Sequence, residues 1–268
     1  MDIIQAVVLG ILQGVFEWLP VSSEAVLSLV MNKVFGTGVE ESVNTAIWLH
    51  TGTMLAALFY LRDDFISMVL DIPGFLERGK QGELFQTFGD TRISFMIIAT
   101  VITAVLGGFL YVAGIETVAD YPRIFTAVMG TALLVTGLLR FYQSSATRKF
   151  RQVNAKDSVL VGLLQSLSII PGISRSASTV FVLFYRGFDG EDAFRMSFLL
   201  SVPAVFIANI GVNLFSGFTY TVELVVASLV AMVVGYLTID AVIRIADRTG
   251  VAYLCFILSG LTFASLLL

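Results

Sequence analysis

Residues 10–23 read GILQGVFEWLPVSS, and residues 162–176 read GLLQSLSIIPGISRS. Both stretches start as apolar helix and both break at a proline, Pro20 in one and Pro171 in the other. The broken regions, about 3–33 and 157–186, have halves shorter than the roughly 20 apolar residues that a spanning helix needs. Proline disfavours continuation of the helix on either side of the break. At membrane depth such a break is tolerated only where the freed backbone is buried in protein or lines a wet cavity. Each region is therefore expected to enter and leave on the same side, as a re-entrant helix pair.

The rest of the chain explains why membrane depth is the relevant environment. Of 268 residues, 57% are hydrophobic and 13% charged, against about 25% charged in an average soluble domain; the mean hydropathy is +0.89. Six further stretches are long enough to span, about 44–62, 92–113, 123–142, 196–215, 221–243 and 250–267. The composition predicts an all-α polytopic membrane protein: six transmembrane helices plus two re-entrant pairs in one membrane domain, 1–268. A net charge of −4, with no basic cluster larger than Arg148, Lys149 and Arg151, argues against nucleic acid as a partner. The single cysteine, Cys255, cannot close an internal disulfide, so it does not reveal the compartment. The opening MDIIQAVV lacks the positive segment of a cleaved leader and reads as the first structural element.

The two broken regions share Gly-Ile/Leu-Leu-Gln, then a proline, then a serine three residues on, with a register difference of one between glutamine and proline. Charge placement tests whether this is a repeat. With both regions re-entrant and six stretches crossing, 13 of the 16 Lys/Arg fall on one side, as the positive-inside rule demands. If the second region crossed once instead, the division would be nine against six. The favoured arrangement makes the halves, about 1–145 and 155–268, an inverted-topology repeat whose polar tips meet near the midplane.

The second tip, PGISRSAST, places Arg175 among Ser174, Ser176, Ser178 and Thr179. An arginine at membrane depth is a functional hypothesis by default. A guanidinium with hydroxyls at a helix start suits a phosphate; the alternative is an interfacial arginine that snorkels. The first tip supplies opposite chemistry. Gln13 and Glu17 share a helix face, directed at Ser22, Ser23 and Glu24. A carboxylate beside a hydroxyl can act as general base or hold a divalent cation; an interfacial acid is the plainer reading for Glu17, and outward exposure for Glu24. His50, the only histidine, is either a packed residue or a phosphate ligand or proton carrier. Glu40–Glu41 and Asp189–Asp192 read as solvated loops, Asp240, Arg244, Asp247 and Arg248 as pairs at a helix end. Gly107, Gly108, Gly130 and Gly137 read as close helix contacts.

LQGVFEWLPVSSE (12–24), LHTGTMLA (49–56), PGISRSAST (171–179) and SFLLSVPA (197–204), in that order along nearly the whole chain, resemble the undecaprenyl-diphosphate phosphatases of the integral-membrane, bacitracin-resistance type. That resemblance implies removal of the terminal phosphate of a polyprenyl diphosphate, which recycles a carrier lipid for cell-wall synthesis. It implies catalytic roles for Glu17, Ser23 and Arg175, with Gln13, Ser22, Glu24, His50, Ser174, Ser176 and Thr179 on the substrate. Mg²⁺ or Ca²⁺ would help, through Glu17. The implied partners are a polyprenyl diphosphate and the membrane, with a homodimer left open, and the site would open toward the outer face of the cell membrane. One departure stands out: where the family pattern continues serine-serine-x-glycine or alanine-histidine, this chain has Ser22, Ser23, Glu24, Ala25 and Val26. Valine carries no proton, so Glu24 or His50 would have to fill the role, or the reaction would be slowed or lost. Inverted repeats meeting at the midplane also suit a transporter, so a polyprenyl-phosphate carrier without hydrolysis is the rival expectation.

Overall fold

Each broken region folds as two short helices with matching caps. In the computed structural model, which describes residues 1–268 apart from 20–21, 81–91, 113–121, 143–147, 171–172, 216–220, 249 and 268, α1 (Ile3–Phe16) opens on Asp2. Asp2 Oδ1 accepts from Gln5 N at 2.8 Å and Gln5 Oε1 from Asp2 N at 2.9 Å, a reciprocal capping box. Helix α2 (Ser23–Lys33) is capped by Ser22, which accepts from Ala25 N. Between α2 and the second broken region lie α3 (Val39–Tyr60), α4 (Arg62–Lys80), α5 (Arg92–Val112) and α6 (Pro122–Tyr142). Helix α7 (Ala155–Ser166) opens on Asn154, whose capping box closes with Asp157, and α8 (Arg175–Tyr185) is capped by Ser174, which accepts from Ala177 N. Caps Asp2 and Asn154, and caps Ser22 and Ser174, stand the same 152 positions apart. This spacing refines the register: Ser22 corresponds to Ser174 and Ser23 to Arg175, whereas matching by proline paired Ser23 with Ser174. Pro20 and Pro171 themselves lie outside the described residues.

The chain continues as α9 (Gly190–Phe215), α10 (Val222–Arg248) and α11 (Val251–Ser265). The described parts of all six long apolar stretches form helices. Three described segments, Arg92–Leu110, Gly190–Gly211 and Val222–Ile245, are long and apolar enough to cross a membrane. Their outward faces carry apolar stripes, Ile97, Val101, Val105 and Phe109 on α5 and Val225, Leu229, Val233 and Leu237 on α10. The near four-residue spacing of each stripe is what a helix turned toward lipid requires.

Helix α10 packs on both α1 and α3, which is what brings the first broken pair into the bundle. Glycine makes the approach possible: a Cβ on Gly10 would stand 2.5 Å from Ala227 O, and one on Gly52 would collide with Ser228 O. In the second pair, Gly162 meets α5 in the same way, 2.9 Å from Ala99 O. Of the glycines expected at contacts, Gly130 and Gly137 face Phe263 and Phe256 on α11. Gly108, by contrast, has open space, and Gly107 only an ordinary contact to Ser166 O at 3.7 Å. Trp18, fully buried, donates from Nε1 to Gly235 O at 3.0 Å and packs edge-on to Phe198, fixing the residue beside Glu17.

Two further features concern charge, and the second differs from the sequence reading. The segment after Arg62 is a 19-residue helix, α4, whose Asp64 receives Arg195 at 2.7 Å and Arg92 at 3.5 Å. Asp189 and Asp192 are ties rather than solvated loop: Asp189 pairs with Lys149, and Asp192 accepts from Phe150 N at 3.0 Å. Asp240 and Arg244 pair at 2.7 Å, with Tyr60 donating to the same carboxylate; the side chains of Asp247 and Arg248 lie outside the description.

Asp157 anchors the base of the second pair. Its buried carboxylate takes Arg148 at 2.7 Å and Arg186 at 2.6 Å, and Arg148 also lies over Phe188. Asp157→Asn removes the charge from beneath two partly exposed arginines, and costs about 2 kcal/mol. Asp189→Asn, which faces an exposed lysine, costs less than about 1 kcal/mol. Thermal unfolding midpoints of the two variants in detergent check the contrast; equal shifts would contradict the anchoring role.

Candidate active site

The tips of the two broken pairs meet, and nearly every side chain singled out from the sequence lies at or beside that meeting. Glu17 follows α1 as its C-cap, one residue before the buried Trp18. Gln13, one turn earlier, donates from Nε2 to Glu17 Oε2 at 2.9 Å. Ser23, at the first position of α2, donates from Oγ to the same oxygen at 2.9 Å. From the other pair, Arg175 at the first position of α8 donates from Nη2 to Glu17 Oε1 at 2.6 Å. His50 on α3 brings Nε2 to 3.1 Å from Glu17 Oε2 and 3.3 Å from Ser23 Oγ.

Exposure grades across this cluster. The Glu17 side chain is 4% accessible, Arg175 13% and His50 17%, so the carboxylate lies behind and the arginine and imidazole border the open side. The starts of α2 and α8 both end on the cluster, adding two helix N-termini to the guanidinium as positive potential. An anion arriving here meets charge-assisted donors already held in place.

The remaining expected residues have structural partners. Ser176 Oγ donates to Leu19 O at 2.7 Å, tying one tip to the other, and stands 3.1 Å from Ser174 Oγ. Thr179 is fully buried; its hydroxyl donates to Arg175 O and lies 2.6 Å from Ser197 Oγ. Ser22 and Ser174 are the caps. Glu24, in the first turn of α2, is half-buried and makes no hydrogen bond or ion pair among the described residues.

Sequence reasoning passed over three contributors, two of them, Ser197 and Thr53, inside stretches it had quoted. Ser197 O accepts from Arg175 Nη1 at 3.0 Å, fixing the second edge of the guanidinium. Thr53 Oγ1 accepts from Gln13 at 3.3 Å and donates to His50 O at 3.1 Å, linking α1 to α3. Ala46 O holds His50 Nδ1 at 2.6 Å. Two of these three are backbone acceptors, which no residue type announces.

A divalent cation would need open acceptors at Glu17. Glu17 Oε1 is held by Arg175 and Oε2 by Gln13 and Ser23, so three donors surround the carboxylate, and His50 Nε2 stands 3.1 Å from Oε2. Among the described residues, no three His, Cys, Asp or Glu side chains stand together as a metal site. The one buried acceptor left open beside Glu17 is Gln13 Oε1. This is the environment of a neutralised carboxylate, and it does not fit a protein-made cation site.

Fold and site together define an all-helical, multi-pass membrane protein with a hydrogen-bonded cluster of Glu17, Ser23, His50 and Arg175 between two broken helix pairs. Comparison with known proteins gives the family. The chain belongs to the bacitracin resistance protein BacA family, whose profile matches residues 6–263. Similar proteins include one from Methanococcoides burtonii, 37% identical over 98% of each chain. Another, from Haloarcula marismortui, is 38% identical over 97% of this chain and 95% of its own. A third, from Methanothrix thermoacetophila, is 34% identical over 98% of this chain and 97% of its own. All three carry the name undecaprenyl-diphosphatase.

Proposed function

We propose that this chain is an integral membrane phosphatase that releases the terminal phosphate of undecaprenyl diphosphate, or a related polyprenyl diphosphate, and leaves the monophosphate carrier lipid. The observation that carries the reading is the single hydrogen-bonded cluster in which Glu17 and Ser23 of one pair meet Arg175 of the other. Phosphoryl transfer asks little covalent chemistry of a protein and much positioning and charge stabilisation. Arg175, braced by Ser197 O, presents a planar fork to the terminal phosphate. Glu17 balances the arginine before substrate arrives and holds Ser23 and Gln13 in register. Ser23 Oγ, at the helix start facing that phosphate, is the nucleophile. Mg²⁺ or Ca²⁺ belongs to this reading as a counter-ion carried on the diphosphate, where it screens phosphate charge; no side chain is assigned to it.

The same reading includes the membrane arrangement. Six helices span, the two broken pairs are re-entrant, the halves are inverted copies about 1–145 and 155–268, and the site opens toward the outer face of the cell membrane. Its supports are the matched caps of the two pairs, the exchange by which α1 packs on α10 while α7 packs on α5, and the one-sided placement of Lys and Arg. Light scattering of the solubilised chain reads whether two copies form a homodimer.

The test is phosphate release by the detergent-purified protein from farnesyl and C55 polyprenyl diphosphates, with and without Mg²⁺ or Ca²⁺. Hydrolysis needs no sealed membrane, so the expected result is turnover in detergent. Tight polyprenyl monophosphate binding with no release would overturn the phosphatase in favour of a lipid-phosphate carrier.

A further inference from the structure

His50 is the chain's only imidazole, and the steps above leave it without a task. Its ring is held in one orientation. Nδ1 lies 2.6 Å from Ala46 O, and a carbonyl only accepts, so Nδ1 carries the proton in the neutral ring. Nε2 then turns its lone pair to the side where Ser23 Oγ stands 3.3 Å away. The polar and charged groups that face it come from the first tip, α2 and α8. They are Gln13 and Glu17 of the first tip, Ser23 with the charge of Glu24 from α2, and Arg175 of α8 beyond Glu17. Besides Ser23, only Glu17 stands at that nitrogen, at 3.1 Å. The single proton of Ser23 Oγ rests on Glu17 Oε2 at 2.9 Å and must turn toward Nε2 to be taken up; a carboxylate paired with Arg175 is a weaker base than a neutral imidazole.

We infer that His50 is the proton carrier for Ser23, a role that rests on the phosphatase reading. As Ser23 Oγ bonds to the terminal phosphorus, its proton passes to His50 Nε2. The bond from that phosphorus to the bridging oxygen breaks, and its electron pair leaves with the polyprenyl monophosphate. The new Nε2–H then donates to Glu17 Oε2, which offsets the imidazolium charge. In the second half a water oxygen bonds to the phosphorus, the bond to Ser23 Oγ breaks, and Oγ takes its proton back from Nε2. Both protons of that water leave with inorganic phosphate or its buffer. This assignment gives the chain a proton carrier on α3, while position 26 on α2 holds a valine.

The experiment compares wild type, His50→Gln and Arg175→Ala in detergent, reading kcat for phosphate release from C55 diphosphate and Kd for polyprenyl monophosphate. For His50→Gln, kcat is expected to fall by about 10²–10⁴-fold, the usual range for a general base, with Kd within about threefold of wild type. A kcat within tenfold of wild type overturns the inference. So does a loss of affinity that matches the loss of rate, since His50 would then be a binding group. Absence of release by wild type would instead overturn the phosphatase reading itself. Modification of the intact wild type with diethylpyrocarbonate covers the case of a variant that does not fold. One modified imidazole should abolish release and hydroxylamine should restore it, whereas full modification with release intact overturns the inference.

Discussion

Arg175→Lys lowers phosphate release by about 10²–10³-fold, the loss expected when a fixed donor to developing charge is removed. The guanidinium spans two acceptors from different parts of the chain, Ser197 O through Nη1 and Glu17 Oε1 through Nη2. A lysine ammonium is a point charge on a flexible stem and cannot hold that fork while presenting a planar edge to phosphate. It does keep the positive charge beside a nearly inaccessible carboxylate, so its unfolding midpoint stays close to wild type. Arg175→Ala removes both, and leaves Glu17 charged with no permanent cation. This variant therefore loses stability as well as rate, by about 3 kcal/mol, the order expected for breaking a buried pair from one side. Steady-state kinetics and thermal unfolding of the two variants separate the effects. Release by the lysine variant within tenfold of wild type would mean that charge alone suffices.

Gly52→Leu is the largest expected effect on stability, about 3 kcal/mol or more. A Cβ at this position runs into Ser228 O, and Ala231 Cβ stands 2.9 Å from it, so the obstacle is backbone that no rotamer change relieves. Separation of α3 from α10 also displaces His50 and Thr53, which flank Gly52 on the chain, and with them the imidazole and the anchor of Gln13. Rate and stability are expected to fall together. Gly108→Ala on α5 is the control: nothing lies within 4 Å, and exchanging glycine for alanine within a helix stabilises by roughly 0.5–1 kcal/mol. Chemical denaturation of both variants measures the difference, and a mild Gly52→Leu would show that the α3–α10 contact is plastic.

Much of this site was legible in the sequence because polar chemistry in an apolar chain is conspicuous. Glu17, Ser23 and Arg175 stood out as residues that lipid does not tolerate, and the spacing of Gln13 and Glu17 was enough to place both on one face. The helical character of the six long stretches followed from their length. What could not be read was what depends on partners distant in sequence. Ser197 and Ala46 act through backbone carbonyls. Gly52 looks like any helical glycine until α10 is set against it, while Gly108 looks the same and meets nothing. Helix α4 lay outside the stretches the sequence singled out, and Asp64 is buried only because Arg92 and Arg195 close over it.

The matched helix starts carry one more consequence. Ser23 and Arg175 each come directly after a capping serine, Ser22 or Ser174, in helices of equal length. The two local frameworks are interchangeable in form, and their chemistry differs at the residue that follows the cap. The first pair brings the carboxylate of Glu17 and the second the guanidinium that meets it. The centre is thus an interface between two unlike broken helix pairs of a single polypeptide, and neither pair by itself holds both Glu17 and Arg175.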